Sequence, residues 1–428
     1  MTSTETPSAS GPHPPAQSWR PQPRPEWVRR LNRIGTTLGD LEQVVPLDET
    51  SLCAAAMAHA GFEDFGTDEW REPFRILIAD IGEHARLNLL GRILARRDIV
   101  HALVIRLQMA ETEKQHPEIL EQPVVEPVVI TGMGRTGTSI LYELMAQDPQ
   151  WRVPTGWELR YPSPPPEAAT RQDDPRLLEA RDDLAFWYDV VPELLGIHET
   201  SSEGAEEDVV ALESAFVAAS WSAFHKAPNF EAYVAVNGAE PTYRHHRRMF
   251  QHLQFRAPGR WLWKGPSHLG LLPSLMAEYP DVRFVMTHRD PIKILPSTAN
   301  LISTLRWQRS DHVDHLELAQ TLGFGLPFLF DMVAEQRSSG VLPEDRFTDV
   351  KFADLMADHI ATIRRVYDGL DLELTDDAAD RMRAYIAAKP KGRHGGGGYR
   401  FEDTGLDLAE TRSKFAPYME RFGVPEED

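Results

Sequence analysis

Between Trp27 and about Pro117 apolar residues return every three or four positions: Phe74, Ile76, Leu77 and Ile81 make one stripe, Leu89, Leu90, Ile93 and Leu94 another. That spacing predicts helices burying one face, and Gly61 and Gly66 divide the segments. At Val124 the pattern changes to Val-Val-Glu-Pro-Val-Val-Ile-Thr, a short β-branched run that predicts a buried parallel strand. The runs 260–264 and 282–287 read the same way, 346–351 is a weaker candidate, and helical patterns follow the first two. Strands alternating with helices imply right-handed crossovers, a parallel sheet, and ligands at the carboxyl ends of the strands. The span 174–255 is mostly helical and is expected to cap the sheet; within it, 206–224 carries Val209, Val210, Leu212, Phe216 and Val217.

Three units follow: a Pro/Ser-rich mobile tail at 1–25, a helical subdomain at 26–120 and an α/β domain at 121–428. A chain of 428 residues, 42% hydrophobic and 26% charged, can bury one large or two moderate cores. Its formal net charge of −20 repels polyanions, so no nucleic-acid partner is expected and anionic ligands must bind through focused donors. The single cysteine, Cys53, excludes an intramolecular disulfide, which fits a reducing cytoplasm. No apolar run reaches the roughly 18 residues of a membrane span, and the N-terminus carries no signal core. The expectation is a cytoplasmic, soluble protein of unknown oligomeric state.

Gly132-Met133-Gly134-Arg135-Thr136-Gly137-Thr138-Ser139 lies between the first strand and a helix. A glycine-rich turn entering a helix presents backbone N–H groups and the positive dipole end to an anion, while Thr138, Ser139 and Arg135 add side-chain donors. Three patterns compete for it. G-x-G-x-x-G with Glu158 downstream suggests a dinucleotide site, but Gly156-Trp157-Glu158 does not read as a strand end. A kinase-type phosphate loop is nearly matched, but Thr138 stands where its lysine belongs.

The third pattern fits best. Arg135-Thr136-Gly137-Thr138-Ser139 after a strand resembles the loop with which sulfotransferases hold the 5′-phosphosulfate end of 3′-phosphoadenosine 5′-phosphosulfate. His288-Arg289-Asp290-Pro291, with Ser297 eight residues after Arg289, resembles the pair that grips the donor's 3′-phosphate in that family. Trp263-Lys264-Gly265-Pro266 resembles its strand-end lysine, and Val350 to Leu355 its late strand and Asp-Leu turn. The similarity covers about residues 124–370. It implies a P-loop NTPase-like three-layer α/β fold with a central parallel sheet, helical insertions and the N-terminal helical subdomain. It also implies a sulfotransferase moving the sulfuryl group of that donor to a hydroxyl of a small-molecule, lipid or carbohydrate acceptor, without a metal. By this resemblance Arg135, Thr136, Gly137, Thr138 and Ser139 bind the 5′ end, Arg289 and Ser297 the 3′-phosphate, and Lys264 an anion. Lys391 and Arg393 belong to a basic glycine loop over the nucleotide, although the run Gly395 to Gly398 departs from the family pattern. A nucleotide-dependent kinase, a Rossmann-type enzyme and a non-catalytic nucleotide-binding regulator stay as alternatives.

Transfer to a hydroxyl needs a base. Glu158 stands near where tyrosine-modifying and several bacterial sulfotransferases carry a catalytic glutamate. His268 stands two residues beyond the position of the histidine of the cytosolic small-molecule type, which here is Pro266. Glu158 is the preferred base, His268 the second, and Glu206 or Glu207 the remaining acids. The pair His245-His246 and the set Asp311, His312, Asp314 and His315 invite a metal reading, for which a solvated helix face is the simpler account. Trp157, Tyr161, Phe186, Trp187, Tyr188, Trp221 and Phe224 are candidates for an apolar acceptor pocket or for core.

Overall fold

The computed structural model describes residues 19–389 and 399–427. Five parallel strands form one sheet in the order β2-β3-β1-β4-β5, with β1 at Val128–Thr131, β2 at Trp151–Arg152, β3 at Arg260–Lys264, β4 at Arg283–His288 and β5 at Phe347–Lys351. Four of these strands match the predicted runs. The first begins at Val128 because Glu126 turns with φ 43° just before Pro127. The two-residue edge strand β2 carries too little pattern to be read from sequence.

Alternation along the strands builds the three layers. Val128, Ile130, Leu262 and Val285 face a core closed by the helices Thr138–Met145, His359–Gly369 and Asp376–Ala388. Val129, Trp261, Trp263, Phe284 and Met286 face the opposite core, formed with the helices Ala239–Gln254, Pro291–Trp307, His315–Ser338 and Leu408–Phe422. All these strand side chains are fully buried, so truncating one such as Ile130 to alanine costs about 2–5 kcal/mol.

The N-terminal region is helical through Glu121. Its helices Glu49–Ala60, Arg71–His84 and Leu89–Gln115 share a core with Leu212, Phe216 and Trp221 of the cap. Of the expected tail, 1–18 lie outside the described residues, and 19–25 are docked rather than loose. Trp19 donates to Asn300 Oδ1 at 3.0 Å and stacks on His315, while the Arg24 guanidinium lies 3.6 Å over the Trp307 ring.

The helix His315–Ser338 is long and apolar enough to cross a membrane by length and composition, with a mean hydropathy of 1.2. Leu318, Ala319, Leu326, Phe330 and Val333 on it are buried against the domain, while Phe324 and Phe328 on its other side are exposed.

Candidate active site

The loop after β1 is shaped by three residues in the left-handed region: Gly132 at φ 121°, Arg135 at 74° and Gly137 at 92°. At Gly132 a Cβ would meet the Thr287 carbonyl oxygen at 2.5 Å, so only glycine lets the loop cross β4. At Gly134 a Cβ would meet nothing within 4 Å, and this stretch is open to a cavity of ≈ 690 Å³. Among the described residues the N–H groups from Arg135 to Ser139 donate to no backbone carbonyl, which leaves them turned outward at the start of the helix Thr138–Met145.

Thr138 and Ser139 line the cavity, and the buried Lys264 lies behind that lining: its ammonium donates to Ser139 Oγ at 3.2 Å and pairs closely with Glu207. Thr136 differs from expectation. Its hydroxyl is buried, bonding the Met133 carbonyl at 2.6 Å and Thr287 Oγ1 at 2.5 Å, so its side chain braces the loop and only its backbone can reach a ligand.

The two anion signatures, distant in sequence, meet here. Arg135 Nε donates to Ser297 Oγ at 2.8 Å, and Arg289 Nη1 donates to the Arg135 carbonyl at 3.0 Å. Arg289 lies 3.9 Å over the Phe352 ring and is held by the Glu427 carboxylate, at 2.9 Å from both Nε and Nη2. Tyr399, a residue the sequence did not single out, joins them. Burial pushes its hydroxyl up, but hydrogen bonds to Ser297 and Arg135 and the charge of Arg289 outweigh this and lower its pKa. Lys391, Arg393 and Gly395 to Gly398 lie outside the described residues.

Neither preferred base reaches the cavity. Glu158 is fully buried as the closing residue of a capping box on the helix Gly156–Arg160. Its Oε1 accepts from Arg152 at 2.8 Å and Arg171 at 2.7 Å, and its Oε2 accepts from Arg171 at 2.7 Å and Thr155 N at 3.1 Å. Burial pushes this carboxyl up, yet the two guanidiniums win and hold it ionised. Glu158 is therefore a structural anchor, with no lone pair directed at a substrate. His268 is buried too, its Nε2 2.8 Å from Asp208 Oδ2 and its Nδ1 2.9 Å from the Tyr243 hydroxyl.

His268 belongs to a buried group with Asp208 and His246, whose ligand atoms are close enough together to hold a cation. Both rings already bond Asp208 Oδ2 through Nε2 and a tyrosine hydroxyl, Tyr243 or Tyr279, through Nδ1, while Asp208 Oδ1 is buried without a hydrogen-bond partner among the described residues. The histidine and aspartate sets suggested by sequence separate: Asp311 pairs with Arg24, Asp314 caps its helix, His315 bonds Ser303, and His245 bonds Ser214.

Five acids line the cavity, Glu206, Glu207, Glu213, Glu231 and Glu317, and of these Glu206 and Glu207 stand beside Lys264. Burial pushes Glu207 up, but the paired Lys264 brings it below the ordinary range. Among the described residues Glu206 accepts only the Glu207 N–H, at 2.8 Å, and burial pushes its carboxyl up to about 7, against the pull of Lys264. His198, which no motif marks, also lines the cavity. Burial lowers its pKa, Glu207 opposes, and the charges of Lys264 and Arg135 lower it further. The acidic run Glu206-Glu207-Asp208 beginning an apolar segment was the available sign of this cluster. Beyond it the cavity is walled by Leu184, Trp187, Phe224, Leu301, Leu305 and Leu322; Trp157 and Trp221 are core.

A parallel α/β sheet with an anion loop at its carboxyl edge, a second cationic point beside it and a deep apolar cavity define a group-transfer architecture for an anionic donor. Two solved structures share it. A sulfotransferase from Mycobacterium avium, STF9, superposes with a TM-score of 0.81 at 28% identity, over 89% of this chain and 97% of that one. STF1 from Mycobacterium tuberculosis H37Rv gives 0.76 at 28% identity, over 86% and 98%. The model of the sulfotransferase family matches residues 127–377, more than half of the sequence, and the chain belongs to that family. A curated relative, omega-hydroxy-beta-dihydromenaquinone-9 sulfotransferase Stf3 of Mycobacterium bovis and Mycobacterium tuberculosis, is 24% identical over 279 residues. The match spans 61% of this chain and 66% of that relative's length.

Proposed function

We propose that the protein transfers the sulfuryl group of 3′-phosphoadenosine 5′-phosphosulfate to a hydroxyl on a long apolar acceptor. The observation that carries this reading is the junction of the two anion signatures, with Arg135 bonded to both Ser297 and Arg289, at the mouth of a mainly apolar cavity. A donor with separate 5′ and 3′ anionic groups needs two such points, whereas NADH or ATP, with one continuous phosphate chain, needs one. The loop N–H groups, Thr138 and Ser139 suit the 5′ end; Arg289, Ser297 and Tyr399 suit the 3′-phosphate.

In this reading the acceptor oxygen attacks sulfur, the bond from sulfur to the bridging oxygen breaks, and adenosine 3′,5′-bisphosphate departs with the electron pair. Arg135 and Lys264 offset the charge that grows on the departing phosphate. Glu206 takes the hydroxyl proton: it lines the cavity, has a free carboxylate oxygen, and ionises near neutral pH, as a general base should. His198, a neutral imidazole among Arg135, Lys264 and Glu207, is the second candidate.

The apolar wall and the lipid-like acceptor named for the mycobacterial relative both support a lipid over a sugar. Incubation with sulfur-labelled donor and a series of hydroxylated acceptors tests this. Label is expected in long-chain alcohols and prenyl or quinone alcohols. Transfer only to monosaccharides or glycans would reject the acceptor class, and no transfer from this donor to any acceptor would reject the activity.

A further inference from the structure

The cations that line the cavity are nearly all engaged. Lys226 pairs with Glu317 at 2.6 Å, and Arg306 bonds the Ser222 carbonyl at 3.0 Å and pairs with Glu231 at 3.5 Å; Lys264, behind the lining, pairs with Glu207. Arg135 bonds Ser297 and the Ile197 carbonyl at 3.0 Å. Arg160 is different. It lines the same cavity, and among the described residues its guanidinium makes no hydrogen bond and no ion pair. Its charge acts through space on the carboxyls of Glu206, Glu213 and Asp98 and on the Tyr161 hydroxyl, with no hydrogen bond to any of them among the described residues.

The local fold explains why that side chain stays in the cavity. Arg160 ends the helix Gly156–Arg160, which Glu158 fixes through Arg152, Arg171 and Thr155. Residues two apart on a helix point about 200° from one another, so anchoring Glu158 on the protein side turns Arg160 to the other. The Arg160 carbonyl is also held, accepting from His101 Nε2 at 2.8 Å. His101 stays neutral, its pKa pushed down to about 4 by burial and by the Arg160 charge, so it can donate this bond but adds no counter-charge. A five-donor planar cation thus shares the cavity lining with Leu184 and Trp187, and among the described residues it has no protein acceptor. Such a group is costly to keep dry and gains most from an oxygen that arrives with the ligand.

We propose that Arg160 determines acceptor specificity by binding a second oxygen of the acceptor, a carbonyl or carboxylate carried on its apolar body apart from the hydroxyl that is sulfated. This rests on the cavity being the acceptor pocket. The preferred acceptors are bifunctional: one end presents a hydroxyl to Glu206 and Lys264, and a planar oxygen function meets the guanidinium. A plain alcohol fills the apolar wall and leaves Arg160 unsatisfied.

Three twelve-carbon compounds test this: 1-dodecanol, 12-hydroxydodecanoate and the corresponding hydroxy methyl ketone, assayed for kcat/KM with the wild type and Arg160→Met, which keeps an apolar stem. Equilibrium dialysis of dodecanoate and 2-dodecanone, which need no donor, supplies a binding readout. The wild type is expected to prefer one or both oxygen-bearing acceptors by about ten- to hundredfold, the scale of a charge-assisted hydrogen bond, and Arg160→Met to bring the ratio within about threefold of unity. Preference for the carboxylate alone identifies an acid, and equal preference identifies a carbonyl function. Equal use of all three by the wild type, or a preference that survives in Arg160→Met, overturns the proposal. Failure to bind adenosine 3′,5′-bisphosphate rejects the donor reading separately, because the dialysis still decides Arg160.

Discussion

Replacing Glu206 with glutamine separates its chemical role from its effect on the fold. Burial raises this carboxyl from 4.5 to about 7, close to 2.5 pH units, and each unit is worth about 1.36 kcal/mol between protonation states. The full conversion is about 3 kcal/mol; contact with cavity solvent reduces it to about 1–3 kcal/mol. The sign follows from the raised value. Stability present below pH 4.5 is lost as pH rises through about 7, because the folded protein must then hold a carboxylate it disfavours. Glu206→Gln is neutral at every pH, so at pH 8 it should be more stable than the wild type by about 1–3 kcal/mol in urea titrations, with the difference vanishing near pH 4. The same change removes the base and should lower kcat/KM at pH 8 by about a hundredfold or more. Wild-type kcat/KM should rise through a single break near pH 7. A variant that is active within threefold of wild type, with the break below 6.5 and the loss appearing instead in His198→Asn, would refute the assignment. Reduced stability at pH 8 would refute the burial argument.

Other expectations follow from the same contacts. Glu427 occupies the guanidinium expected to meet the 3′-phosphate, so Glu427→Gln should tighten adenosine 3′,5′-bisphosphate binding by about three- to tenfold by calorimetry; weaker binding would mean that Glu427 orients Arg289. Glu158→Ala strands two guanidiniums, one of them deeply buried, and should cost about 3–5 kcal/mol in urea unfolding. An unchanged stability with abolished transfer would return Glu158 to the chemistry. Asp98 and Asp349 are held at about 2, mainly by Arg97 and Arg309 and by His288 and Arg337, respectively, against the cost of burial. Their folded values lie below the unfolded ones, so their contribution is present above pH 4 and lost as pH falls toward 2, and Asp98→Asn should flatten the acid limb of the stability profile.

The three-layer sheet was legible because its central strands are buried on both faces and therefore read as short runs dominated by apolar residues, with valine, isoleucine, phenylalanine and tryptophan prominent. The loop was legible because positive φ selects glycine at 132 and 137. The distant pair was legible through the family resemblance, which sets Arg289 just after β4 and Ser297 on the helix Pro291–Trp307 that follows. What failed was the direction of individual side chains. Glu158 stands where a base was expected, yet a capping box and two arginines, Arg152 and Arg171, turn it inward; neither arginine is marked by sequence as its partner. His268 was displaced from the cavity by a network closing through Asp208, Tyr243 and Tyr279 from three separate segments. Thr136 sits inside a motif of ligand residues but bonds a threonine on the neighbouring strand. Tyr399 and Glu427 reach the anion site by long-range packing that leaves no local periodicity.

The account stands most directly on a single calorimetric comparison: adenosine 3′,5′-bisphosphate, ATP and NADH titrated into the wild type and Arg289→Ala. Bisphosphate should bind the wild type in preference to the other two, and the variant should lose about 1.5–3 kcal/mol, the scale of a charge-assisted contact to a phosphate. Binding of ATP or NADH without the bisphosphate, or bisphosphate affinity indifferent to Arg289, would contradict it.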